Sequence, residues 1–438
     1  MRDPDGSVEL TAQFVRRRLA TGANTGFLKS ELGRSLVREG MLVDFSFVSE
    51  SEICSPRLPF VSYPSEWCDA QLRDAGGFTL DLSERILEDG LELKDASAFN
   101  ILFEGGSPIF CDHLSFVPIR TKQWWAMGQY ARHFVLPLNL AKSVGWPAHK
   151  FHMLSSDGIA PNEAANLLGV RRYLTAVWPL MIGGKTSGAP KYVPLENGEQ
   201  SYHSPLYKYC RWCLPGMTSS SISQWVRYTT SRQHYSLDVE KKKSEVVWRW
   251  LQGAKPKWVI DLGCNTGEYS LMAEEIGASV VSIDADHDSI NQLYRSKRLS
   301  RSRRIHPVIV NLGDMSSGSG WLGQEKAGLL SRLSVCGDVV LCLGLLHHFI
   351  ATEGISLGAV AAFLTNLTDR YLFLEVIAPD DPMAHLLMAQ RNRTDLFPSV
   401  DRQIEAFMTG FRLGGREILG PTRQLVFLER SGQRDVAR

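Results

Sequence analysis

From about residue 246 to about residue 430 the chain alternates short, nearly unbroken apolar runs with longer amphipathic stretches. Trp258 to Leu262 is the first run, and it ends in the turn Gly263-Cys264-Asn265-Thr266-Gly267. Glu268 to Ile276 then reads as a helix, with Leu271, Met272 and Ile276 as inward positions and Gly277 as its stop. A second strand is expected over Ser279 to Ile283, ending at Asp284, followed by a helix from roughly His287 to Leu299. Further strands are expected over Pro307 to Leu312, Asp338 to Leu343 and Tyr371 to Val376. Arg416 to Leu419 and Gln424 to Glu429, joined through Gly420-Pro421, read as an antiparallel pair. Strands that are apolar at every position are buried on both faces. The pattern therefore predicts an α/β, Rossmann-like sheet, mostly parallel and covered by helices on each side.

The pattern before residue 246 differs. Residues 1 to about 120 mix short apolar runs with turns, an α+β character, and end in ILFEGGSPIFCDHLSF. Residues from about 121 to 245 are rich in Trp and Tyr and are broken by Pro and Gly, as in LPLNLAKSVGWP and MIGGKTSGAPKYVP; they read as mainly helical. Residues 431–438 read as a tail. A chain of 438 residues exceeds one ordinary domain, so two or three are expected.

Composition narrows the function classes. A net charge of +1 gives no basic excess, so nucleic acid is not the expected partner. No segment is long and apolar enough to span a bilayer, and the opening MRDPDGSVELTAQFVRRRLA lacks the apolar centre of a signal peptide. Eight cysteines are scattered along the chain, several in apolar runs such as Val339-Val340-Leu341-Cys342, which suits buried reduced thiols. A cytoplasmic protein without a membrane partner is the expectation; the oligomeric state is left open.

The chemistry concentrates at the first turn. Gly263 and Gly267 allow a ligand to approach the backbone where a strand turns into a helix, the place where open α/β sheets bind ligands. Asp284 ends the second strand, where a carboxylate accepts the two hydroxyl hydrogens of a ribose. The spacing Gly263-x-x-x-Gly267 is not the G-x-G-x-x-G of a dinucleotide site, and no G-x-x-x-x-G-K-[ST] occurs at this turn. A nucleoside ligand without a pyrophosphate fits better. Taken alone, such a turn would equally be only a tight strand–helix connection. Asp286 and Asp288 read as charges at a helix N-terminus.

VIDLGCNTGEYS, VVSIDAD, DVVLCLGLLHHF and YLFLEV, in that order, resemble the successive motifs of class I S-adenosylmethionine-dependent methyltransferases. The resemblance covers roughly residues 246 to 430 and implies a seven-stranded sheet whose last two strands are the antiparallel pair. It further implies S-adenosylmethionine as cofactor. Asp261 and the turn Gly263, Cys264, Asn265, Thr266 and Gly267 would hold the methionine part, Asp284 the ribose, and Asp314 would lie near the adenine, although NLGDM departs from the usual acid-then-small pattern.

On the acceptor side, His347 and His348 follow the fourth strand, where a neutral imidazole can take a proton from a hydroxyl or amine. Glu375, ending the fifth strand, is the third catalytic candidate. Each of the three would equally serve as a loop or core hydrogen-bonding group, since methyl transfer can proceed by proximity alone. The basic run Arg295 to Arg304 and the triplet Lys241-Lys242-Lys243 read as solvated helix faces. Cys210-x-x-Cys213 has no second pair at zinc-site spacing and is taken as structural, so no metal is expected.

Further upstream, Lys94-Asp95 with Asn100, followed by a strand pair and Asp112, resembles the catalytic and metal-binding loops of protein kinases and small-molecule phosphotransferases. No glycine-rich loop or nucleotide lysine precedes it, and His113-Leu114 replaces Phe-Gly. A degenerate, substrate-docking remnant is expected rather than an active kinase. The combined layout resembles a group of bacterial methyltransferases associated with rhizobial nodulation, which implies a role in host-specific nodulation. The expectation is thus an S-adenosylmethionine-dependent methyltransferase acting on a small-molecule or saccharide acceptor. A non-catalytic nucleoside-binding sensor and an RNA methyltransferase are the alternatives.

Overall fold

The computed structural model describes residues 5–11, 13–20, 25–182, 192–196, 199–216, 237–299, 302–390 and 397–432. The chain divides into two compact units, residues 1–221 and 222–438.

In the first unit, strands β1 (Gly6–Leu10), β2 (Phe14–Leu19), β3 (Ser46–Ser49) and β4 (Glu52–Pro56) form an antiparallel sheet in the order β1-β2-β4-β3. Helix α1 (Asp69–Leu87) buries Leu72, Ala75, Gly76, Thr79, Leu80, Ser83 and Ile86, the three-and-four spacing of a face turned to the core. Strand β5 (Leu91–Leu93) pairs with β8 (Phe116–Pro118), and the hairpin β6 (Ile101–Glu104) and β7 (Ser107–Phe110) lies between them in sequence. Helices α2 (Leu136–Val144), α3 (Pro161–Leu168), α4 (Trp178–Ile182) and α5 (His203–Cys213) follow. The helical stretch packs on α1 in the same unit: α5 lies against it, and Tyr130 Oη donates to Gly76 O at 3.0 Å.

The second unit begins with α6 (Leu237–Ala254) and continues as β9 (Trp258–Leu262), α7 (Glu268–Glu275), β10 (Ser279–Asp284), α8 (His287–Leu299), β11 (Ile305–Ile309), β12 (Val339–Cys342), α9 (Leu357–Leu367), β13 (Tyr371–Ile377), α10 (Pro382–Gln390), α11 (Val400–Glu405), β14 (Phe411–Ile418) and β15 (Arg423–Arg430). One seven-stranded sheet runs β11-β10-β9-β12-β13-β15-β14. The first five strands are mutually parallel, and β15 is antiparallel to both neighbours. Every residue of β12 is buried, as are Val259 to Leu262 of β9, which is why the sequence shows no alternation there.

Two sequence expectations are corrected. Leu271 of α7 is exposed and Met272 and Ile276 are half-buried; the residues against the sheet are Ser270 and Ala273. Small side chains let the helix sit close to β9 and β10, and Ser270 is drawn inward by its hydrogen bond to Asp261. The third strand starts earlier and ends at Ile309; Val310 N makes the last bond to β10, to Asp284 O at 3.0 Å, and the chain then turns away to form a wall of the site.

Trp250 of α6 packs its ring 5.4 Å from Phe373 of β13 and 5.5 Å from Phe427 of β15. Phe373 is wholly buried. Phe373→Ala is expected to lower the stability of the second unit by about 4 kcal/mol in denaturant unfolding.

Candidate functional site

β9 and β10 are adjacent and parallel, so the chain leaves both at the same edge of the sheet. After β9 the backbone passes through left-handed conformations at Gly263 (φ +68°), Asn265 (φ +50°) and Gly267 (φ +87°). Glycine adopts these freely, and asparagine more readily than most residues. Gly263 N and Cys264 N both donate to Ile283 O, at 2.8 and 3.0 Å. Asn265 N donates to Asp284 Oδ2 at 2.8 Å, and Asp286 N to Asp284 Oδ1 at 2.8 Å. One carboxylate therefore holds both outgoing chains. Burial raises the pKa of Asp284, and these backbone N–H groups oppose the rise.

Behind the turn, Asp261 accepts from Ser270 Oγ at 2.6 Å, and Ser282 and Ser270 hydroxyls lie 2.7 Å apart. Burial is the main reason its carboxyl is pushed up to about 6. Gly267 seats α8: a Cβ there would lie 2.5 Å from Leu293 Cδ1.

These elements enclose a cavity of about 420 Å³. Asp261 and the turn from Gly263 to Thr266 form one wall; Asp284 to Asp286 and Asn311 to Gly313 form the next. Leu343 to Leu345, His347 and His348 face them from the end of β12, and Glu240, Lys243, Glu268, Tyr269, Glu353, Met383 and Arg423 also line it.

The sequence candidates separate accordingly. Asp261, Gly263, Cys264, Asn265, Thr266, Asp284, His347 and His348 are brought together around the cavity. Gly267 lies just outside the lining, as a packing glycine. Asp314 also lies outside: Asn311 Oδ1 accepts from Gly313 N at 2.9 Å and Asn311 O from Asp314 N at 3.1 Å, a turn that presents Leu312 and Gly313 to the cavity instead. Asp286 accepts from Ser289 N at 2.9 Å as the cap of α8, besides lining the cavity.

Glu375 does not reach the cavity. It is 1% exposed and engaged by two cations, Lys243 Nζ at 2.6 Å and Arg423 Nη1 at 3.3 Å. Arg423 also forks onto Asp381, with Nε at 2.7 Å from Oδ2 and Nη2 at 3.0 Å from Oδ1. Burial works against the Asp381 carboxylate, but this fork holds its carboxyl below the usual range. Lys243 is thus no solvated residue, as its triplet suggested; it is buried, and its Nζ lies 5.2 Å from the Tyr269 ring centroid. The signal was helical period: Lys243 shares a stripe with Val247, Leu251 and Ala254, all buried. Arg423 and Asp381 carried no comparable signal, since neither belongs to a recognisable motif.

The His347 and His348 rings lie 4.4 Å apart. Burial, then His348 and Arg423, hold His347 down to about 3. Burial and Arg423 lower His348 as well, and its Nδ1 lies 3.4 Å from Thr352 Oγ1. Both effects favour the neutral imidazole.

In the first unit Asp95, Asn100 and Asp112 also come together. Asn100 Nδ2 donates to Asp95 O at 3.4 Å, and Cys111 N to Asn100 O at 2.9 Å. The Asp95 carboxyl is raised by burial and by Asp112. Asp112 is engaged by Arg17 of β2, 2.6 Å from its Oδ1. The guanidinium supplies the positive charge at this carboxylate and ties the four-stranded sheet to the segment after β7. Cys210 and Cys213 are buried on α5. In the basic run, Lys297 pairs with Glu274 and Arg304 donates to Gly277 O, while Arg301 lies outside the described residues.

The strand order, with a single antiparallel insertion at one side of an otherwise parallel sheet, is the fold of class I S-adenosylmethionine-dependent methyltransferases, and the site lies at its ligand-binding edge. Residues 229–319 match the family model described as tellurite resistance protein TehB. The chain is 28% identical to the nodulation protein NoeA of Rhizobium meliloti (strain 1021), over 98% of this chain and 95% of that protein. Among solved structures it is similar to magnesium protoporphyrin IX methyltransferase (ChlM) from Synechocystis PCC 6803 with bound SAM (TM-score 0.33, 18% identity, 49% of this chain and all of that one). It is also similar to the bifunctional kinase-methyltransferase WbdD (TM-score 0.31, 16% identity, 44% of this chain and 39% of that one).

Lys243→Ala removes one partner of a buried ion pair. It is expected to cost about 3 kcal/mol in unfolding experiments, whereas Lys241→Ala, on the exposed face, changes stability by less than about 0.5 kcal/mol.

Proposed function

We propose that the second unit binds S-adenosylmethionine and transfers its methyl group to a small-molecule or saccharide acceptor, and that the chain acts in host-specific nodulation. The observation that carries the enzymatic reading is the placement of Asp284 and the Gly263–Thr266 turn on one cavity at the carboxyl ends of β9 and β10. The nodulation role is supported by the similarity to NoeA.

The residues present fit this cofactor. A Cβ at Gly263 would lie 3.3 Å from Leu345 Cδ1, so only glycine leaves the cradle open at this φ. The cavity is lined by the carboxylates of Glu240, Asp261, Glu268, Asp284, Asp286 and Glu353 against the cations of Lys243 and Arg423, an excess that suits a ligand bearing ammonium and sulfonium charges. Asp284 would hold the ribose hydroxyls. Leu312 and Gly313 would flank the base, and Asp261 with the turn would hold the methionine end. When bound, the cofactor supplies an activated methyl group. His347 and His348, kept neutral by burial, accept a hydrogen bond from the acceptor and add no charge against the sulfonium. Glu375 and Lys243 act as positioning residues, fixing the floor on which the acceptor rests.

Calorimetric titration with S-adenosylmethionine and S-adenosylhomocysteine tests the reading. Binding in the micromolar range is expected, weakened about a hundredfold in Asp284→Ala and Gly263→Val variants that retain the parent circular dichroism. His347→Ala and His348→Ala should leave cofactor affinity within about threefold, because both residues face the acceptor. Absence of binding to the folded parent chain would contradict the reading.

Affinity should also depend on pH. The Asp261 carboxyl is held near 6, and a cationic ligand beside it favours the ionised form. Binding below that pH therefore releases a proton, so affinity for S-adenosylmethionine rises from pH 5 towards pH 7, by up to about tenfold per unit, and then levels. In Asp261→Asn this rise should disappear.

A further inference from the structure

The segment from α3 through Gly169–Leu174 to α4, in the first unit, has two unlike faces. Ala164, Ala165, Leu168, Val177 and Met181 are buried and anchor it, and the three pieces pack on one another. The opposite face carries large apolar side chains into solvent: Leu174 is 89% exposed, Val170 82%, Tyr173 59% and Leu167 51%, with Trp178 beside them at 40%. The inward face already satisfies the core, so the outward side chains are not needed for folding. Apolar groups this prominent and this close in sequence mark a contact surface.

Charge identifies the partner. From Pro161 to Ile182 the sequence contains Arg171 and Arg172 and one acidic residue, Glu163, which caps the start of α3 by accepting from Ala160 N at 2.9 Å. Arg172 lies 4.7 Å from the Tyr173 ring centroid, and its Nη2 donates to Tyr173 Oη at 2.9 Å. The guanidinium and the phenol hydroxyl are thereby held at one level, and the Tyr173 ring stands 6.3 Å from that of Trp178. Aliphatic tips, Tyr and Trp, and arginines are the composition that settles at a bilayer–water boundary, with arginine on the lipid phosphates.

We propose that this face docks the chain onto the surface of an anionic lipid bilayer, with Val170 and Leu174 entering the acyl boundary and Arg171 and Arg172 meeting the headgroups. Such docking needs no spanning segment, and among the described residues no helix is long and apolar enough to cross a membrane.

Flotation of the full chain with vesicles tests this. With phosphatidylcholine vesicles containing one part in three of phosphatidylglycerol, co-flotation is expected; with phosphatidylcholine alone it should fall about tenfold, and high salt should weaken it. Val170→Asp with Leu174→Asp should reduce binding to the anionic vesicles by about tenfold or more. Arg171→Ala with Arg172→Ala should do so without altering the apolar tips. Light scattering run in parallel shows whether the face instead joins two copies. Failure of the folded parent chain to float, equal binding by the Asp variant, or a parent dimer that the Asp variant dissociates would each overturn the proposal.

Discussion

The site depends on one carboxylate bonded to two backbones. Asp284 takes the N–H of Asn265 on one oxygen and the N–H of Asp286 on the other, so the chain leaving β9 and the chain leaving β10 are fixed relative to each other before any ligand arrives. The left-handed residues at Gly263, Asn265 and Gly267 give the turn its shape, and Asp284 holds that shape at a set distance from its neighbouring strand. The desolvation that raises the Asp284 pKa is tolerated because backbone donors meet the carboxylate. The same residue that builds the turn also lines the cavity.

Opposite that wall lies a second fixed element, the buried chain Lys243–Glu375–Arg423–Asp381. It joins α6 to β13, to β15 and to the loop before α10; Glu375 and Asp381 lie close in sequence, whereas Lys243 and Arg423 come from distant positions. Buried ion pairs contribute little net stability, but breaking one is costly, so the arrangement has few alternatives. Its consequence for chemistry is indirect. Arg423 helps hold His347 and His348 uncharged, and Lys243 lies by Tyr269 at the floor of the cavity.

Most strands of the second unit and the turn on one wall of the cavity were legible because their residues answer to local rules. Continuous apolar runs announced buried parallel strands, and Gly263, Gly267 and Asp284 announced a turn and its acid. The inward face of α7 was not legible: Ser270 and Ala273 are buried for their size and one hydrogen bond, while Leu271 is exposed. Asp314 was placed by resemblance alone, and the turn at Asn311 presents Leu312 and Gly313 to the cavity in its stead. Glu375 was expected to end its strand, but β13 runs on to Ile377 and holds it inside the sheet; its partners come from residues 132 and 48 positions away, and no local pattern reports such a pairing. Lys243 looked like part of a charged surface triplet, and only the period of α6 set it apart.

The most direct test of the central claim is a crystal structure of the chain with S-adenosylhomocysteine. The account predicts the ribose hydroxyls on Asp284, the base against Leu312 and Gly313, and the sulfur turned towards His347 and His348. A ribose bound away from Asp284, or a ligand lying outside the cavity at the ends of β9 and β10, would contradict it.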